Sequence, residues 1–302
     1  GALVNQGHNR RYDEERGFFG FFESIDDEQV AHGLFDAAKQ WHVEQGMTAM
    51  RGPTNPSLNY ECGLLIEGFD DPPFFMMTYN PPFYQRLVES YGFQKSQDLY
   101  AYYGHVSQLD TLDEKLVFIT QKAKEEFNVD IRPISRKHFN RDVRTFLDIY
   151  NRSLAGTWGF VPLSDAEIDE QAGTMRYLIE PELALMAEVD GKPIGAVFGL
   201  LDYNTRIKQI DGKLFPFGFL KLLRRRQDIK RFRMISTNVV PEYQKWGIGL
   251  VLLAGLIPKV LEWGLEHAEF SWVLESNNLS RKSLEKGGTR RSKAYRIYDL
   301  DF

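Results

Sequence analysis

The segment Val239-Val240-Pro241-Glu242-Tyr243-Gln244-Lys245-Trp246-Gly247-Ile248-Gly249 constrains this chain more than any other, because it joins a β-branched run to a long apolar stretch through a Gln-x-x-Gly-x-Gly turn. Phe232 to Val240 reads as a strand, and Leu250 to Glu266 reads as a mostly buried helix. Glycines at the first helical positions let the backbone approach a bound group. The unpaired N–H groups of the first turn, with the positive end of the helix dipole, then attract anionic oxygens. Strand, glycine turn and helix in that order form a grip for a pyrophosphate. The motif is common by itself, and its placement between a strand and a helix gives it weight.

The elements that follow keep a definite order. Phe270 to Glu275 reads as a strand, Asn277-Asn278 opens a helix over Leu279 to Lys286, Gly287-Gly288 ends it, and Ala294 to Leu300 reads as a last strand. This block resembles the acyl-CoA-binding motif of the GNAT N-acyltransferase superfamily, and the resemblance covers most of the C-terminal half. A dinucleotide-binding turn is the rival. It needs Gly-x-Gly-x-x-Gly directly after the strand and an acidic residue on the next strand tip, a spacing absent here.

With 302 residues, 43% of them hydrophobic, the chain is long enough for two domains of ordinary size. Its net charge of −5 argues against a nucleic-acid partner. The single Cys62 leaves no intramolecular disulfide and favours a reducing compartment. The scattered histidines show no metal-ligand spacing, so no metal is expected. No stretch approaches the roughly twenty apolar residues that span a bilayer and no signal peptide opens the chain, so a cytoplasmic location is expected. Gly1-Ala2-Leu3-Val4-Asn5-Gln6 lacks Met and reads as the end of a strand, which suggests a truncated or processed chain.

A degenerate internal repeat is visible in element order. Phe18 to Phe22 reads as a strand, Ser24-Ile-Asp-Asp27 as a capping-box-like start, and Val30, Leu34, Ala38 and Trp41 as one apolar helix face. A short strand over Met47 to Met50, a helix from Asn80 through Tyr91 and a strand over Asp98 to Tyr103 complete the first half. Where the second half has its glycine turn, the first has Asp26, Asp27 and Glu28, carboxylates that repel a pyrophosphate. The expectation is therefore an α/β protein with a mixed sheet, built as two tandem GNAT-like domains of which the first is incomplete. Residues 1–106 form the degenerate domain, 107–127 a helical connector, and 128–302 the domain that binds cofactor.

The second half supplies earlier elements too. They are a strand over Val129 to Ile134, a helix over Arg141 to Leu154 with Val143, Phe146, Leu147 and Tyr150 on one face, and a helix over Asp165 to Ile179 capped by Ser164. A hairpin follows, turning at Asp190-Gly191. The insertion Asp202 to Arg231 then places Phe215-Pro-Phe-Gly-Phe-Leu ahead of Arg224, Arg225 and Arg226. It reads as a packed amphipathic helix with a solvated basic face, as an interfacial helix for an anionic surface, or as a clamp for the cofactor's 3′-phosphate through one or two of those arginines.

The resemblance implies acetyl-CoA or another acyl-CoA as donor, and direct acyl transfer to a small-molecule amine. It places the pyrophosphate on the backbone N–H groups of Trp246, Gly247, Ile248 and Gly249, with Gln244 and Lys245 earlier in the loop. The acyl group and pantetheine fall on the main chain of Val239 and Val240. Asn277 is either a pantetheine contact or an ordinary N-cap. The superfamily's general-base positions fall on Arg233 and Ile235, neither of which can serve, and its tyrosine acid falls on Leu284. Glu275 is the substitute base or amine-binding carboxylate, with a surface salt bridge as its alternative, and Tyr295 and Tyr298 are the candidate proton donors. Trp158 and Phe160 sit where the superfamily forms its acceptor mouth. Asn55 and Asn59, in the rigid segment Arg51 to Glu61, either line an acceptor pocket or satisfy their own loop. Two alternatives stay open: a non-catalytic acyl-CoA sensor, and a membrane-associated acyltransferase for lipid-like amines.

Overall fold

The computed structural model describes residues 1–111, 118, 121–122 and 124–302. In the first half, β1 (Ala2–Leu3), α1 (Gln6–Tyr12), β2 (Arg16–Phe19), α2 (Glu28–Glu44) and β3 (Ala49–Gly52) precede a small ribbon of β4 (Thr54–Asn55) and β5 (Glu61–Cys62). Then come β6 (Leu64–Glu67), α3 (Tyr84–Ser90) and the long β7 (Gln94–His105). The second half opens with β8 (Val129–Pro133), α4 (Phe139–Ser153), α5 (Asp165–Met175), β9 (Ala184–Val189) and β10 (Lys192–Leu201). Helices α6 (Asn204–Gln209) and α7 (Gly218–Leu223) follow, then β11 (Arg231–Val239), α8 (Ile248–Glu262), β12 (His267–Leu274), α9 (Asn278–Lys286) and β13 (Arg290–Asp301). Of the expected helical connector, residues 107–127, positions 112–117, 119–120 and 123 lie outside the described residues, and its start belongs to a 3-10 turn, Val106–Thr111.

All but the β4–β5 ribbon join one eleven-stranded mixed sheet, in the order β1-β2-β3-β13-β7-β12-β11-β10-β9-β8, with β6 also on β13. The repeat is real in three dimensions. β2 and β3 run parallel across helix α2, and β11 and β12 run parallel across helix α8. The last strands are exchanged: β7 of the first half pairs antiparallel with β12 of the second, while β13 of the second pairs antiparallel with β3 of the first. β7 and β13 pair with each other along the seam, from Arg290 opposite Tyr103 to Asp299 opposite Gln94.

Local chemistry explains most elements. Asp190 and Gly191 both take positive φ, 50° and 73°, as a tight hairpin turn requires. Ser164 and Glu167 close a capping box at the start of α5, and α4 buries Val143, Phe146 and Leu147 as its apolar spacing predicts. Helix α2 corrects two expectations. Its N-cap is Asp27, which accepts from Gln29 N and Val30 N, and Ser24 lies outside the helix. Its buried stripe is Ala31, Phe35 and His42, whereas Val30, Leu34 and Trp41 are exposed. Phe35 sets this rotation by packing against Phe19, Phe22 and Phe93 in an aromatic core. The second half packs a largely aliphatic core instead, with α4 and α8 against β9, β10 and β11. Among the described residues no helix is long and apolar enough to cross a membrane.

Candidate active site

After β11 the chain makes a short 3-10 turn, Pro241–Trp246, and enters α8 through Gly247 at φ 73°. A side chain is strained at that φ, so the turn needs glycine. No side chain caps α8, so the first-turn N–H groups are left without a protein cap. A Cβ on Gly249 would meet only Thr237 Cγ2, at an ordinary 3.7 Å, so no neighbour in the protein demands a glycine there. The space beside Gly249 leaves the helix end open to approach, as an anion-binding helix N-terminus requires. Gln244 shapes the loop: its side-chain amide donates to Val239 O at 3.1 Å and Ser153 O at 3.3 Å. Trp246 stacks on Phe127 at 4.0 Å and meets Tyr243 edge-on, while Lys245 is exposed.

β11 and β12 are hydrogen-bonded only from Arg231 opposite His267 to Met234 opposite Phe270. Beyond that they part, β12 staying with β7 and β11 with β10. The edge of β11 facing the gap, Ile235 to Val239, has no strand partner there, which suits main-chain contact with an extended ligand. Val239 and Val240 are buried, and Val240 N donates to Ile194 O.

A buried polar cluster sits where the two strands part. Ser271 Oγ donates to Glu269 Oε1 at 2.7 Å, and Arg233 Nε donates to Ser271 Oγ at 2.9 Å. Arg233 also donates to the carbonyls of Phe75 and Met76, tying the loop between β6 and α3 over the cluster. Lys293 lies 3.8 Å from Glu269 Oε2 and is paired with Asp71 of the same loop. Two buried oxygens, Glu269 Oε2 and Tyr295 Oη, have no hydrogen-bond partner. Burial raises the Glu269 carboxyl above its ordinary range, although Ser271, Lys293 and Arg233 pull the other way. Tyr295 is raised as well, by burial and then by the neighbouring Glu269. Groups so perturbed and left partly unpaired are what a proton-transfer site looks like.

The other expected site residues are scattered by comparison. Glu275 is half exposed and engaged by Lys95 at 2.8 Å. Tyr298 is buried in the aromatic core and donates to Glu89 at 3.0 Å. Asn277 is the N-cap of α9, accepting from Ser280 N at 3.1 Å. Asn55 accepts from Phe21 N, and Asn59 donates to Val161 O and accepts from the Tyr150 hydroxyl, so both amides tie the loop to neighbouring segments. Trp158 lies under the Arg51 guanidinium, and Phe160 packs edge-on against Tyr150. Cys62 is buried near Tyr295, and burial pushes its thiol up to about 12, so it is a poor nucleophile. Arg224 to Arg226 belong to the segment before β11 and the glycine turn follows its other end, nine residues or roughly 30 Å away, so these arginines do not clamp a phosphate held at the turn.

Sequence reasoning missed Glu269 and Lys293 because the strands were started too late, at Phe270 and Ala294, and it passed over Ser271 inside the first of them. A charged residue inside a buried strand is the signal that finds them.

No protein-family model matches the chain. Protein YghO of Escherichia coli strain K12 is 34% identical over 304 residues, which span 99% of this chain and 77% of that protein. Bacterial ceramide synthase of Caulobacter vibrioides is 32% identical over 291 residues, 94% of this chain and 74% of that protein. A GCN5-related N-acetyltransferase from Sphaerobacter thermophilus shares the fold with a TM-score of 0.53 at 13% identity, over 99% of this chain and 76% of that one. Glycine turn, parted strands and fold agree that the chain has a GNAT-type fold, and it belongs to the family that contains Protein YghO and the bacterial ceramide synthase.

Proposed function

We propose that the protein transfers an acyl group from an acyl-CoA to the primary amine of a lipid-like acceptor, of the sphingoid-base class that a ceramide contains. The observation that carries this reading is the buried Glu269 cluster lying where β11, the strand that leads to the uncapped α8, parts from β12. The 32% identity to a bacterial ceramide synthase supports the acceptor class. Bound acyl-CoA supplies an activated thioester. The N–H groups of Gly247, Ile248 and Gly249 hold its pyrophosphate, and the free edge of β11 aligns the acyl arm.

Glu269 takes the proton from the acceptor ammonium, a task suited to a carboxyl that burial raises above its ordinary range. As the C–S bond breaks, the nitrogen's second proton passes to the departing thiolate through the Tyr295 hydroxyl, which gives one proton and takes the other. The loop over the cluster, held by Arg233, shifts to admit the amine and then excludes water. Cys62, kept as a thiol by burial, argues for direct transfer without an acyl-cysteine. A cytoplasmic site of action fits both the donor and the single cysteine.

The test follows free thiol release with short- and long-chain acyl-CoAs against a sphingoid base, a simple alkylamine and an amino sugar. Turnover with a long-chain acyl-CoA and the sphingoid base, at least tenfold above the other amines, is expected from apolar recognition of the acceptor chain. Tight CoA binding without thiol release for any amine would replace this reading with a sensor.

A further inference from the structure

Residues 204–230, between β10 and β11, carry eight Lys and Arg against two Asp, in a chain whose net charge is −5. At their centre Phe215 and Phe217 are 81% and 72% exposed, and Leu214, Phe219 and Leu220 are exposed beside them. Scattered exposed apolar residues need no explanation, but a contiguous aromatic and leucine cluster marks a contact surface.

The cluster is built rather than loose. Buried Arg206 of α6 donates to the carbonyls of Leu222, Arg224 and Arg225 at 3.1, 2.9 and 2.6 Å, which satisfies the open end of α7. Arg226 is anchored on Glu180 and the Tyr177 carbonyl. Asn204 bonds to the Pro73 carbonyl, and Phe75 meets Tyr203 edge-on, joining the insertion to the loop that covers Glu269. The segment is thus held from beneath while its phenylalanines face outward.

We infer that this patch docks the protein on an anionic membrane surface. Phe215, Phe217 and Leu220 enter the interfacial layer, and Lys213, Lys221, Arg224 and Arg225 meet the lipid phosphates. Charge decides the occupant. A basic rim around an apolar centre complements an anionic bilayer, whereas a second copy of the same patch would set like charges against one another. The insertion enters β11 at the end opposite the glycine turn, so the docked face and the mouth for a water-soluble CoA lie at opposite ends of the strand. Docking does not depend on the acceptor and stands even if the acceptor is water-soluble.

Co-sedimentation of the full chain with vesicles of phosphatidylcholine alone, or of phosphatidylcholine with phosphatidylglycerol, tests it. Wild type is expected to sediment with the anionic vesicles and to be released by salt. Phe215→Ser with Phe217→Ser should lower partition roughly tenfold or more, and Arg224→Glu with Arg225→Glu roughly fivefold for each charge. All four side chains are exposed, so circular dichroism and Tm should stay at wild-type values. Equal binding to neutral and anionic vesicles, binding to neither, or full binding by both folded variants overturns the inference. A dimer in analytical ultracentrifugation that the phenylalanine variants dissociate would overturn it too.

Discussion

Helices α2 and α8 hold the same place in the two halves, each crossing between a parallel pair of strands, yet their N-termini are finished in opposite ways. At α2, Asp27 caps two backbone N–H groups, and Arg86 bridges Asp26 and Glu28. At α8, a left-handed glycine enters the helix with no cap, and a second glycine keeps the approach clear. A helix end that satisfies itself has no use for an anion. One left open is able to accept an anion, so the capping chemistry distinguishes two otherwise equivalent helix ends of the same plan.

Four substitutions press on that difference. Gly247→Asp would give α8 the left-handed strain and the carboxylate that the binding half avoids. CoA affinity measured by calorimetry should fall on the order of 10³-fold, the loss of about two charge-assisted hydrogen bonds. Wild-type affinity would break the comparison outright. Glu269→Gln should lower kcat by about 10²-fold with CoA affinity unchanged, while Tm holds or rises because a buried charge is removed. The wild-type rate should climb with pH through a Glu269 value raised above 4.5, and the variant should lose that limb. The raised carboxyl also favours the protonated fold, so its contribution to stability is full at acid pH and is lost as pH rises through the same value.

Gly249→Ala sharpens the contrast, because it should weaken CoA several-fold yet raise stability by about 0.5–1 kcal/mol through helix propensity. An unchanged affinity would mean that the open space at Gly249 has no ligand to admit. Asp27→Ala is the smallest and the reciprocal. CoA binding should not move, and denaturant unfolding should report a loss of about 1 kcal/mol.

What was legible in the sequence was local. The capping box at Ser164, the Asp190-Gly191 turn and the Gln244-to-Gly249 motif each declare themselves within a few residues, and all three form. The stripe of α2 was misread because Val30, Leu34 and Trp41 keep helical spacing as well as Ala31, Phe35 and His42 do, and only the ring of Phe19, Phe22 and Phe93 decides which faces inward. Glu269 was hidden because a carboxylate at a strand's start looks like a loop residue until the neighbouring strand brings Arg233 beside it. The phenylalanines of the insertion suit a packed helix and an interfacial one alike in sequence, and only the fold leaves them in water.

The exchange of β7 and β13 also sets the order in which this protein can be completed. The first half leaves the ribosome early, but the slot beside β3 stays empty until Arg290–Asp301 has been made, and β12 relies on a strand synthesised long before it. Neither half is a separable module. Expressed alone, each would present a raw sheet edge open to mispairing, and in the whole chain the long-range pairing makes folding slow.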